Sequence, residues 1–250
     1  MCIRDRGDLI AMLIRKYASL YAALATCAVC ATPSAIAQDT EVLEHMHAHS
    51  DAVMAIRQSV IVGSPGGVKE SARWLLEHEP PASVAAGWAD YLPAMRAAAK
   101  EALDAVDLTA AAAAASRLGL ACGGCHAASE TVFESTDTSR PSMDEDTGSH
   151  MLRHQWAADK MWEGLIWPGS YSWQSGANLL FESAIKPHEL GEQSGNADLQ
   201  TKARRIHQLA ANATMVQKSD ERAEIYAEFL ANCGGCHQAV QPVKEPQTDL

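Results

Sequence analysis

The chain has 250 residues, 47% hydrophobic but only 6% aromatic, with 20 Lys+Arg against 31 Asp+Glu and a formal net charge of -11. That length admits one large domain or two small ones. Abundant alanine with few β-branched runs favours packed helices over sheets, and the acidic balance disfavours nucleic acid and anionic lipid as partners.

The first segment reads as a leader. Met12-Leu13-Ile14-Arg15-Lys16 gives a short positive start, Tyr17 to Ala31 is mostly apolar, and Ala35-Ile36-Ala37 is a small-x-small site before Gln38. Residues 1–37 are therefore expected to be a secretory signal peptide, cleaved after Ala37 and leaving the mature protein in the periplasm without a membrane span. The stretch 1–11 precedes the leader's own start, reads as an artefact, and is assigned no function. Leu24-Ala25-Thr26-Cys27 is an alternative lipid-attachment site, with threonine before the cysteine a poor fit. Beyond the leader, 16 basic residues face 29 acidic ones, a balance of -13.

Next come two units of similar pattern, 38–130 and 148–250, the second with a short tail. They are joined by a linker over 131–147, within a stretch rich in Ser, Thr, Asp and Glu. The first is expected to hold helices over Thr40–Val62, Val68–His78, Ser83–Asp104 and Leu108–His126, divided by Gly63-Ser64-Pro65-Gly66-Gly67, by Pro80-Pro81 and by Asp107 as an N-cap. The second is expected to hold His150–Trp167, Trp173–Ile185, Asn196–Gln217 and Asp220–His237, with Ser219 as N-cap of the last. Four short helices with tight connections imply an antiparallel bundle, so the fold class is all-α, two consecutive four-helix bundles.

Each unit closes on the same five residues: Cys122-Gly123-Gly124-Cys125-His126 and Cys233-Gly234-Gly235-Cys236-His237. Three of the seven cysteines, Cys2, Cys27 and Cys30, lie in the leader, so these motifs use all that remain. Cysteines three apart on a helix project to one side and can add to the two vinyl groups of one haem, and the adjacent histidine then meets the iron. Cys-x-x-Cys-His is the attachment signature of c-type haem, so two covalent haem c groups are expected, with His126 and His237 as proximal ligands. A thioredoxin-like pair would want a βαβ context, and a four-cysteine zinc site a shorter separation between its pairs.

Only thirteen residues follow His237, too few for a helix and a distal ligand, so each distal side must come from upstream. Four helices with a late Cys-x-x-Cys-His resemble the class II, cytochrome c′-like family over both repeats. The resemblance implies that the first helix of each unit faces the distal side of the haem, with the site empty or filled by methionine, and that the protein could pair as a homodimer.

On those first helices Val42, Met46, His49, Val53, Ile56 and Val60 form one apolar stripe, and Met151, His154, Ala158, Met161 and Leu165 repeat it. His49 and His154 are the expected distal ligands, a departure from the family pattern; Met46 and Met151 are the alternatives, and an open iron is the third. Met54, off the stripe, and Met161, on it, read as packing. His47, His78, His188 and His207 lack the repeat relation and read as solvent-facing or structural. Trp156, Trp162, Trp167 and Trp173, without counterparts in the first unit, are expected to pack the second haem or the surface between the units.

The expected function is electron transfer between periplasmic redox proteins with basic docking surfaces, not catalysis. The alternatives are binding of nitric oxide or carbon monoxide and a role as haem subunit of a periplasmic oxidoreductase.

Overall fold

The computed structural model describes residues 33–82, 88–129, 139–144, 146–168, 171–183 and 197–240. The proposed signal peptide, most of the proposed linker, His188 and the C-terminal tail lie wholly or largely outside them. Among the described residues every regular element is helical. In chain order these are α1 (Pro33–Ile61), a 3₁₀ turn (Pro65–Val68), α2 (Lys69–Glu77), α3 (Leu92–Asp104), α4 (Leu108–Ala128), α5 (Thr147–Ile166), α6 (Ser172–Glu182), α7 (Ala197–Ala213) and α8 (Ser219–Val240). The chain divides into two compact units, Met1–His45 and Met46–Leu250. Of the first, only the opening turns of α1 are described.

Local chemistry sets the helix ends. At the end of α1 the Gly63 amide bonds to Val60 O (2.9 Å) and the Ser64 amide to Ser59 O (2.8 Å). This reversal requires a residue in the left-handed region, which Gly63 supplies at φ 77°. Asp107, in extended backbone, accepts the Ala110 amide at 2.8 Å and starts α4 where the sequence predicts. Asp146 does the same for α5 through the Ser149 amide at 3.0 Å, so that helix begins inside the proposed linker.

Several expected boundaries move, while the expected helix ends at Ser83, Ile185 and Asn196 lie outside the described residues. The turn at Pro65 delays α2 to Lys69, and α3 starts at Leu92, where Pro93 suits a first turn. Ser219 is the first residue of α8 rather than its cap.

α4 and α8, the two motif-bearing helices, pack against each other. Ala111, Ala112, Ala114 and Ala115 are fully buried, which lets the backbones approach, and the buried Ser116 hydroxyl donates to Ala223 O. The pair is antiparallel: Ser116 meets Ala223, while Leu108 at the start of α4 lies beside Gly234 near the end of α8. α4 is long and apolar enough to cross a membrane, yet its buried face is part of this core.

Around the pair, α3 flanks α4, α7 flanks α8, and α5 touches both. One continuous core draws on both repeats, from Val53, Ile56 and Val60 through Leu118 and Met161 to Tyr226, Phe229 and Leu230.

Candidate haem-attachment sites

Both motifs occupy the C-terminal turns of their helices, where cysteines three apart share a side. Because α4 and α8 run in opposite directions, the motifs lie at opposite ends of the pair. The fifteen residues from Leu108, beside Gly234, to Gly123 span about 22 Å of helix. That separation rules out one zinc ion bound by all four cysteines, whose Zn–S bonds are about 2.3 Å.

The four thiols are free, and each is partly covered. Burial pushes Cys122 and Cys233 up to about 12, reinforced by Cys125 and Cys236 respectively, and holds Cys236 at about 11. Burial also raises Cys125. Such groups are favoured as neutral thiols and costly as thiolates, which disfavours metal–thiolate binding. One asymmetry stands out: Arg57 acts on Cys233 and lowers its thiol pKa, whereas no cation acts on Cys122.

The first glycine of each motif faces backbone. A Cβ at Gly123 would lie 2.2 Å from Leu165 O, and one at Gly234 would lie 2.3 Å from Val60 O. Leu165 and Val60 are 105 residues apart, the same offset that relates His154 to His49. The two motif helices are thus set by one repeated contact, each ending against the first helix of the other repeat. The second glycines face differently: nothing lies within 4 Å of a Cβ on Gly124, and the atoms nearest one on Gly235 belong to the flexible Lys202 side chain.

His126 is held by the same crossing. Its Nδ1 lies 2.7 Å from Ile166 O, and its ring stacks on Trp167 with centroids 3.9 Å apart. A carbonyl partner requires Nδ1 to carry the proton, which leaves the Nε2 lone pair for a metal. Burial lowers the His126 pKa, partly offset by this bond, so the ring favours its neutral, ligating form.

His237, in the last turn of α8, is exposed. The structure brings it into electrostatic range of His154. The pKa of His154 is pushed down to about 3, by burial first and then by His150, Arg153 and His237. His154 Nε2 lies 3.0 Å from His150 Nε2, and Arg153 donates to His150 Nδ1 at 3.2 Å and to Ser142 O and Asp144 O. α5 therefore serves both motifs, its first turns toward His237 and its last against Gly123.

In the other repeat His49 is half-buried, edge-on to Trp74 (5.7 Å) and to His78 (5.6 Å), and Trp74 and His78 stack at 4.1 Å. Sequence reasoning missed this neighbourhood, since His78 has no repeat partner; its place at the end of the next helix in the chain was the one available signal.

The stripes are buried at their C-terminal ends, at Val53, Ile56 and Val60 and at Ala158, Met161 and Leu165. They open toward Met46, His49, Met151 and His154, all partly exposed. Met54 is 37% exposed, off the stripe as expected. His47 is exposed, and His207, also exposed, stacks on Phe181 at 5.2 Å.

Trp162 packs on Gly119 of α4, Trp167 on His126, and Trp173 donates to Ala213 O at 2.9 Å. Lys160 sits over Trp156 at 5.7 Å. Trp162 and Trp167 thus line the meeting of the two repeats. Compared with protein-family models, with curated proteins and with solved structures, the chain gives no match.

Proposed function

We propose that the chain is a periplasmic dihaem cytochrome c that transfers electrons, with one haem on Cys122, Cys125 and His126 and the other on Cys233, Cys236 and His237. The observation that carries this reading is His126, whose Nδ1 is bonded to Ile166 O at 2.7 Å, beside two covered, neutral thiols on the same helix end. On this reading the thiols become thioethers, the two proximal histidines offer Nε2, and His49 and His154 supply the distal ligands, with Met46 and Met151 as alternatives. Haem supplies one-electron chemistry when bound. The chain's own residues hold the proximal ring in one tautomer, exclude water through the buried ends of the stripes, and keep a neutral imidazole at His154.

The repeat relation extends the same arrangement to His49, giving two cytochrome c′-like four-helix bundles that share their motif helices as a common wall. The acidic balance supports basic redox partners steered by charge. Pairing as a homodimer and export by residues 1–37 complete the proposal.

Absorption of the oxidised and reduced protein, with and without carbon monoxide, tests it together with magnetic resonance of the ferric form. Low-spin spectra indifferent to the gas are expected, with His49→Ala and His154→Ala each opening one site. A high-spin spectrum that shifts with the gas would replace the carrier reading with gas binding.

A further inference from the structure

The repeat that places Val60 O against Gly234 and Leu165 O against Gly123 makes positions 57 and 162 equivalent, each three residues before its carbonyl. The residues there differ in charge. Position 162 is Trp162, packed on Gly119 one turn before Cys122. Position 57 is Arg57, whose side chain is only 1% exposed.

The guanidinium of Arg57 is fixed on several sides. Nε donates to Tyr226 Oη at 2.7 Å, Nη2 to Asp159 at 2.5 Å, and Nη1 to Met54 Sδ at 3.9 Å. The Tyr226 hydroxyl donates a hydrogen bond to Ala158 O at 3.0 Å, and Asp159 is the carboxylate that the cluster sets against the guanidinium. Asp159 is 43% exposed, and water screens it. Arginine keeps its proton in any protein setting. A buried guanidinium therefore sits in the core with one partly exposed carboxylate partner, bonded to Tyr226, which lies two turns before Cys233 on one helix face, and 6.0 Å from the Trp162 ring. Burial raises both Cys122 and Cys233 to about 12, and Arg57 opposes that rise at Cys233 alone.

We infer that Arg57 makes the two haem sites unequal, raising the reduction potential of the Cys233–His237 site above that of the Cys122–His126 site and so setting the direction of electron flow. This rests on the dihaem reading. Reduction adds one negative charge to a site, and a buried cation favours the state with that added charge. The transfer itself is one electron from the first site to the second, supplied by a one-electron donor protein, with no bond made or broken and no proton moved.

The test is an optical redox titration of the full-length holoprotein and of three variants. The native protein is expected to give two one-electron waves, and Cys233→Ala/Cys236→Ala to lose the higher one, which assigns it. Arg57→Met should lower the higher wave by about tenfold in equilibrium constant, ~59 mV for one electron, and leave the other in place. Asp159→Asn, isosteric and at a partly exposed position, removes the guanidinium's counter-charge and should shift the same wave in the opposite direction. Two haems titrating as a single wave, or a higher wave unmoved by Asp159→Asn, would overturn the inference and leave the dihaem reading intact. A chain shown by mass to carry no haem would overturn both.

Discussion

Within Cys-Gly-Gly-Cys-His the two glycines do different work. Gly123 and Gly234 face carbonyl oxygens that a Cβ would approach to 2.2 and 2.3 Å, whereas Gly124 faces open space. Gly123→Ala and Gly234→Ala should each destabilise the protein by about 1–3 kcal/mol, because backbone must shift to admit the methyl group. Gly124→Ala should be neutral or stabilising by up to about 1 kcal/mol, since alanine is the better helix former. Urea denaturation separates the cases, and equal costs at the three positions would refute the packing argument. The sequence displays both glycines as part of one motif and cannot tell them apart, since the difference lies in a carbonyl from the other repeat.

Tyr226 adds a pH dependence at the same scale. Burial is the largest cause that holds its hydroxyl at about 12, against 10.0 for the unperturbed group, although Arg57 pulls the other way. Between those values the unfolded chain has lost a proton that the folded chain keeps, so stability falls as pH rises through that window and is fully present below it. Tyr226→Phe should flatten this alkaline limb in the holoprotein, whose thiols are consumed by haem. It should also cost about 1–3 kcal/mol at neutral pH by leaving a buried Arg57 donor unmet. Denaturation midpoints from pH 8 to 12 read both effects, and an unchanged alkaline slope would contradict this assignment.

At the scale of elements, one of the two expected caps was legible, Asp107 and not Ser219. Asp107 predicts the start of α4, and its carboxylate makes the capping bond to Ala110. Asp107→Ala should cost about 1 kcal/mol by thermal or urea denaturation, and no measurable loss would mean that packing alone starts the helix. The stripes on α1 and α5 were legible too, because a period of 3.6 residues marks the buried face directly. Less legible were ends governed by turns, such as the 3₁₀ turn at Pro65 and the start of α3 beside Pro93, where several boundaries satisfy the same propensities.

For the whole molecule, helical content follows from composition, but the meeting of the repeats does not. Periodicity says which face of a helix is buried and nothing about which helix covers it. That Leu165 lies against Gly123, Val60 against Gly234 and Trp162 against Gly119 is long-range information carried by shape. The same limit applies to the candidate sites. Cys122, Cys125, His126, Cys233, Cys236 and His237 stand out by spacing, whereas the Ile166 carbonyl that orients His126 and the Arg57 guanidinium bonded to Tyr226, two turns before Cys233, become visible once the chain is folded.

The central claim, two covalently attached haems, is tested most directly by the intact mass of the protein after denaturation, purified from a periplasm able to attach haem. The account predicts a polypeptide carrying two haems, falling to one in Cys122→Ala/Cys125→Ala and to one in Cys233→Ala/Cys236→Ala. A mass equal to the polypeptide alone would contradict it.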